Sequence, residues 1–259
     1  MTFELNDISD GIALRDVRGI DPVKATLVTS SSAQSDGTQY HSAKRGDRNL
    51  IVQLDLVPDY VTTSVEDLRD RLYDFFMPKT EVKLKLYRHT GLVVDISGRI
   101  ETCESPLFAK DPEMDISIIC FNPDFVDLTE VEFTGDTTSG SDVDTLVYPG
   151  NIETGVKFVL DVNRNLTEFT IYHTRPDGIV RSTDIAVSMV TGDTLEINSI
   201  RGQKGVFLTR AGTKTSVLYG MSAQSAWMEL LKGENDIRVY AEGAAIPYTI
   251  TYTTKYGAL

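Results

Sequence analysis

Apolar and polar side chains alternate along most of this chain. Residues 48–57 are the clearest case: Leu50, Val52, Leu54 and Leu56 point one way, and Ile51, Gln53 and Asp55 the other, the period of a strand with one buried face. Val82, Leu84 and Leu86 alternate with Lys83, Lys85 and Tyr87. Thr90-Gly91 then turns the chain into residues 92–101, which predicts a hairpin. Residues 115–121 and 127–133 predict two further strands around Asn122-Pro123-Asp124. One segment has a different period. Val65, Leu68, Leu72, Phe75 and Phe76 share a helical face, Ser64 with Asp67 is placed to cap it, and Pro78 ends it.

Residues 30–47 read as a long polar loop, and residues 134–145 as a polar linker with Val143 its one large apolar side chain. Short apolar runs follow at 156–162, 166–173, 183–189, 195–200, 206–210, 237–241 and 248–252. Turn signals separate them at Pro176-Asp177-Gly178, Gly192-Asp193 and Gly233-Glu234-Asn235. Short strands at that spacing predict a β-sandwich or jelly roll. The expected chain is mainly β, with domains at 1–133 and 146–259 joined by the linker 134–145.

Composition narrows the classes of function. With 259 residues and 41% hydrophobic side chains the chain can bury a core. No apolar run approaches the ~20 residues of a membrane helix. The opening residues lack the basic and apolar regions of a secretory signal, so a reducing cytoplasm is the expected site of synthesis. The net charge of −13 argues against gripping nucleic acid by charge or docking on an anionic membrane. That charge is local. Residues 101–144 carry 12 acidic side chains against Lys110 alone, a net of −11, whereas 1–100 balance 15 against 13 and 145–259 balance 11 against 11.

Candidate chemistry is sparse. His41, His89 and His173 have no Cys or His partner at metal-binding spacing. A Ser-His-Asp triad is set by space rather than order, but no Gly-x-Ser-x-Gly elbow, phosphate loop or Gly-x-Gly-x-x-Gly turn is present. Cys103 and Cys120 fall on neighbouring strands and read as free buried thiols. Asp142 and Asp144 supply too few oxygens for calcium. Asn165-Leu166-Thr167 and Arg45-Gly46-Asp47 read as chance matches to glycosylation and integrin motifs. Trp227, in an apolar context, reads as a core or interface residue rather than a sugar platform. The pattern His-x-Asn-x-Arg of galectins fails at His173-Thr174-Arg175-Pro176. No catalytic, cofactor-binding or metal-binding residue is expected, no cofactor, and no enzyme.

In order and spacing several segments resemble the distal tail proteins, or Dit family, of long-tailed siphovirus-type bacteriophages. They are Phe3-Glu4-Leu5-Asn6-Asp7, Val17-Arg18-Gly19-Ile20-Asp21-Pro22, Arg48-Asn49-Leu50-Ile51-Val52-Gln53-Leu54, the helix with Leu68, Arg71, Leu72 and Phe75-Phe76-Met77-Pro78, and Ser97-Gly98-Arg99-Ile100-Glu101. Cys120-Phe121-Asn122-Pro123-Asp124-Phe125 carries the most specific piece, a Cys-x-x-Pro-x-Phe pattern. Leu230 to Ile237 and Ile250-Thr251-Tyr252 complete the set.

The resemblance implies a tail-tube-like β-sandwich with one flanking helix, followed by a galectin-like β-sandwich. It implies a homo-hexameric ring in the virion tail tip, assembled in the host cytoplasm. The partners implied are the tail tube protein, the tail-associated hub protein and receptor-binding or baseplate proteins. DNA would pass through the channel without tight binding, and no membrane is involved. On this reading the loop 30–47 and the strand 48–57 supply subunit contacts, and part of 101–144 faces the lumen. The competing function is a carbohydrate-binding β-sandwich that mediates attachment to the host surface.

Overall fold

The computed structural model describes residues 4–5, 10–31, 36–106 and 110–259. Parts of the opening motif 3–7, of the loop 30–47 and of the 106–112 connection lie outside these residues. The chain divides into two compact units. The first comprises residues 1–125 and 257–259, the second residues 126–256. The division therefore falls before the expected linker, and the last residues belong to the first unit.

Unit 1 contains β1 (Ile12–Arg18), β2 (Ala25–Ser30), β3 (Gln39–Arg45), β4 (Arg48–Leu56), α1 (Val65–Phe76), β5 (Glu81–Tyr87), β6 (Val93–Glu104) and β7 (Glu113–Cys120). One antiparallel sheet runs β1-β4-β7-β6, with β5 paired to β6. The alternation at 48–57 is realised: Leu50, Val52, Leu54 and Leu56 are buried, and Leu50, Val52 and Leu54 stand opposite Ile118, Ile116 and Met114 of β7. Helix α1 packs on β6 and buries Leu68, Leu72 and Phe76. Its capping box is complete. The Asp67 N–H donates to Ser64 Oγ at 3.1 Å, and the Ser64 N–H to Asp67 Oδ2 at 2.9 Å, which removes two unpaired donors from the helix start. The predicted β5–β6 hairpin closes where Gly91 takes a φ of +84°.

Part of the segment 30–47 is not a loop: residues 39–45 form β3, and Ser30 ends β2. Strands β2 and β3 form a two-stranded antiparallel hairpin that makes a sheet of its own. Every described residue of both strands is exposed, so no buried face imposes the alternation that marks a strand in sequence.

Strand β8 (Phe125–Asp136) leads into unit 2, followed by β9 (Asp144–Tyr148), β10 (Thr154–Gly155), β11 (Lys157–Asp161), β12 (Leu166–Thr174), β13 (Val180–Met189), β14 (Thr194–Asn198), β15 (Gly205–Arg210), β16 (Thr213–Ser216), β17 (Glu229–Leu230), β18 (Gly233–Tyr240) and β19 (Pro247–Tyr256). One sheet runs β8-β19-β11-β14-β15-β16 and a second β13-β12-β18-β9, with β10 and β17 as a short pair. The inner faces share one core. Phe158 stacks on Tyr248 at 5.3 Å and on Phe169 at 6.1 Å, among Ile171, Leu195, Ile237 and Ile250. The expected linker 134–145 dissolves: residues 134–136 complete β8 and residues 144–145 open β9. Between them Thr137 is buried, and its backbone bonds to Ile246. Small polar residues here are pinned by backbone pairing, which composition does not register.

Candidate assembly surfaces

Unit 1 presents two surfaces that its own fold leaves unfinished. The first is the β2–β3 hairpin. Leu27, Val28 and Tyr40 are 62, 50 and 60% exposed, and a lone two-stranded hairpin is marginal in water. Its root is firm. Arg45, at the end of β3, forms a bidentate pair with the Asp124 carboxylate at 2.5 and 3.2 Å. This pairing removes Arg45 from any freely displayed Arg-Gly-Asp motif. Across the hairpin Ser30 Oγ lies 2.6 Å from His41 Nε2. Two members of a triad thus meet, but on an exposed arm that excludes no water. Among the described residues no carboxylate holds the imidazole, so the pair is a cross-strand hydrogen bond.

Beneath that root lies Arg48, 2% exposed at the start of β4. Its guanidinium donates to the carbonyls of Pro123 at 2.7 Å, Asp21 at 2.7 Å, Gly257 at 2.6 Å and Gly19. It also lies 4.4 Å above the ring of Phe125. Burial pushes its pKa down, with nearby Asp124 and Asp21 acting the other way; arginine remains charged all the same. Gly19 allows this approach. It has a φ of +90°, and a Cβ there would sit 2.0 Å from the Asn49 carbonyl oxygen. The arginine, Gly19, Pro123 and Phe125 all lie in the quoted family segments, but sequence did not show that they meet.

The second surface is the polar face of the sheet. Strand β4 supplies Gln53 and Asp55, β7 Glu113 and Asp115, and β6 Glu101 and Glu104. Arg15 pairs with Asp55 at 2.6 Å and with Glu113. Asp115 accepts from Gln53 at 2.9 Å, and Glu101 from Ser117 at 2.9 Å. Glu104 stands directly opposite Asp115, and both are exposed. Like charges in register across strands destabilise a sheet, so stability alone gives no reason for this pair. The acidic stretch 101–144 is therefore two groups. Residues up to Asp124 belong to unit 1, and those from Asp127 onward to unit 2.

Strand β4 has both edges paired, to β1 and β7, and its apolar face is buried within unit 1. The strand 48–57 was expected to supply subunit contacts; its apolar side chains are instead buried in the core of its own unit.

Unit 2 places the remaining candidates. His173 is 2% exposed, and its Nε2 lies 3.1 Å from Asn235 Oδ1. Burial pushes its pKa down, and a buried imidazole cannot touch a sugar. Trp227 packs against the core with Lys204 over its ring at 5.7 Å. On the outer sheet face Arg238 covers the ring of Tyr172 at 4.2 Å. Asp136, Asp142 and Asp144 line a depression of about 600 Å³. There Asp142 accepts from Thr138 at 3.1 Å and Asp144 from Tyr248 at 2.5 Å, and no cluster of metal-ligand type is found among the described residues. In unit 1 His89 is exposed in the β5–β6 turn. Cys103 and Cys120 are free, and burial pushes each thiol up to about 11. No helix among the described residues is long and apolar enough to cross a membrane.

Residues 149–256 match the family described as siphovirus-type tail component, C-terminal domain. Over 96% of both chains the fold matches the crystal structure of the Dit protein (gp 19.1) of phage SPP1, with a TM-score of 0.68 at 17% identity. That protein is described as a paradigm of the hub adsorption apparatus in phages infecting Gram-positive hosts. A chain of the phage P2 baseplate in its activated conformation matches with a TM-score of 0.41 at 11% identity, over 93% of this chain and 90% of that one. No curated protein sequence matches. The expected fold class, a tail-tube-like unit with one flanking helix and a galectin-like β-sandwich, agrees with the SPP1 Dit fold.

Proposed function

We propose that this chain is a Dit-type component of a siphovirus-type phage tail, a reading supported by the tail-component domain at 149–256 and the likeness to the SPP1 Dit fold, and that it forms a hexameric ring joining the tail tube to the tip apparatus. Unit 1 builds the ring. The observation that carries this reading is the β2–β3 hairpin, exposed on both faces and fixed at its root by Arg45 and Asp124. A hairpin in that state gains stability by lying on another copy, and repeated head-to-tail contact closes a ring. The tube protein and the hub protein bind its two faces, and receptor-binding or baseplate proteins attach at the tip. The ring is assembled in the host cytoplasm and has no catalytic role.

The polar sheet face, with Glu101, Glu104 and Asp115, lines the channel. Carboxylates repel DNA phosphates and avoid the counterion release that makes basic channels adhesive. Unit 2 serves as an attachment or spacing module. The carbohydrate-binding alternative has no observation in its favour: His173 is buried, Trp227 is packed, and Tyr172 is covered by Arg238.

Deleting residues 31–44 and measuring the mass of the particle in solution, or in the reconstituted tip where assembly needs a template, tests the ring contact. The ring should be lost while the monomer stays folded. An unchanged hexamer would remove the hairpin from the contact.

A further inference from the structure

Unit 1 is discontinuous in sequence. Its main body ends at residue 125, the chain then builds unit 2 over 126–256, and residues 257–259 return to unit 1. Gly257 is buried, and its carbonyl accepts from Arg48 Nη2 at 2.6 Å. The Leu259 N–H donates to the carbonyl of Ile20 at 3.2 Å. Arg48 draws its other acceptors from two separate places: Gly19 and Asp21 after β1, and Pro123 in the turn before β8. Nε and Nη1 are thus served by residues made before unit 2. Nη2 is served by Gly257, made after it.

A buried charged donor left without its acceptor is among the costlier defects a fold can carry. The Arg48 pocket gathers the β1 exit, the start of β4, the β7–β8 turn and the returning segment, so a defect there loosens all four at once. We propose that residues 257–259 act as a closing strap, with Arg48 as its receptor, so that unit 1 reaches its finished fold only once unit 2 has been synthesised. A chain that stops inside unit 2 would then carry a loosened unit 1, and only chains extended past residue 257 would offer a rigid surface for assembly. The strap itself is a property of the fold and does not depend on the ring reading.

Native-state hydrogen exchange on the full chain, on a chain ending at Tyr256 and on Arg48→Met tests the proposal. Removing 257–259 should speed exchange of the β4 and β7 amides by about ten- to a hundredfold, while β11, β12 and β18 in unit 2 stay unchanged as internal controls. In the Arg48→Met background the same truncation should add less than about threefold, because the receptor is already gone. If Arg48→Met fails to fold, Arg48→Lys replaces it, which keeps the charge and loses the fork. Unchanged exchange in unit 1 after truncation would overturn the proposal. So would an undiminished truncation effect in the Arg48 variant.

Discussion

The two units treat exposed surface in opposite ways. Unit 2 closes on itself: two sheets face each other, and the buried carboxylate of Asp193 and amide of Asn235 are paired inside it. Asp193, 3% exposed, takes hydrogen bonds from Arg210 Nε at 2.9 Å, Arg210 Nη2 at 2.6 Å and the Val190 N–H at 2.8 Å. Asn235 bonds to both backbone groups of Leu231. Unit 1 buries one sheet face under a helix, then leaves a hairpin bare on both sides and sets Glu104 opposite Asp115. A closed sandwich completes its own core. A unit with an unsupported arm and unrelieved like charges has surfaces whose purpose lies outside the monomer.

The sharpest way to break that contrast is through the buried arginine. Arg48→Met strips the donor from four carbonyls, and unit 1 should lose about 3–5 kcal/mol, the range for removing one side of a buried charged network. Unit 2 should keep its unfolding midpoint in calorimetry. A common fall in both transitions would mean the units are not energetically separate.

The hairpin gives the opposite signature. Leu27→Asp with Tyr40→Asp alters exposed positions and should leave monomer stability within about 0.5 kcal/mol. In sedimentation or native mass measurements it should abolish the ring. A destabilised monomer would show that the hairpin already supports unit 1.

A milder effect comes from pH and belongs to unit 2. His173 sits neutral because burial disfavours its charge. The Asn235 bond opposes this, Arg175 and Arg181 add repulsion, and Asp177 draws the other way. The unfolded imidazole takes up a proton near pH 6.5, before the folded one does. The contribution is therefore fully present above pH 6.5 and is lost as pH falls through the folded value, by at most about 1.4 kcal/mol per pH unit. Asp193, held low chiefly by Arg210, adds stability above the unfolded carboxyl pKa of about 3.9 that is lost in stronger acid. Calorimetry from pH 7.5 to 5 should show unit 2 weakening first, and His173→Gln should flatten the slope. The smallest effect is expected from Glu104→Gln, which relieves the repulsion by Asp115 and should stabilise unit 1 by about 0.2–1 kcal/mol.

Legibility in the sequence followed burial. Strand β4, helix α1 with its Ser64–Asp67 cap, and seven strands of unit 2 could be read because one face of each is wet and the other dry. Strand β3 was read as loop, and β2 escaped notice, because both faces of each are wet. Strand β16, also fully exposed, and the two-residue strands β10 and β17 escaped for want of pattern. The end of β8 and the start of β9 were hidden in polar composition, although Tyr248 and Asp144 join there at 2.5 Å. The charge of 101–144 was visible, but not its division between units, nor its cancellation at Glu113 by Arg15 and at Asp124 by Arg45. The Arg48 site was out of reach, since its acceptors are main-chain carbonyls as far apart in sequence as Gly19 and Gly257.

The ring, its hairpin contact and its lumen are best examined by electron microscopy of the assembled tail tip. It should show six copies around a channel, each β2–β3 hairpin seated on the next copy, and Glu101, Glu104 and Asp115 facing the lumen. Hairpins pointing into solvent, with those carboxylates on the outer rim, would contradict it.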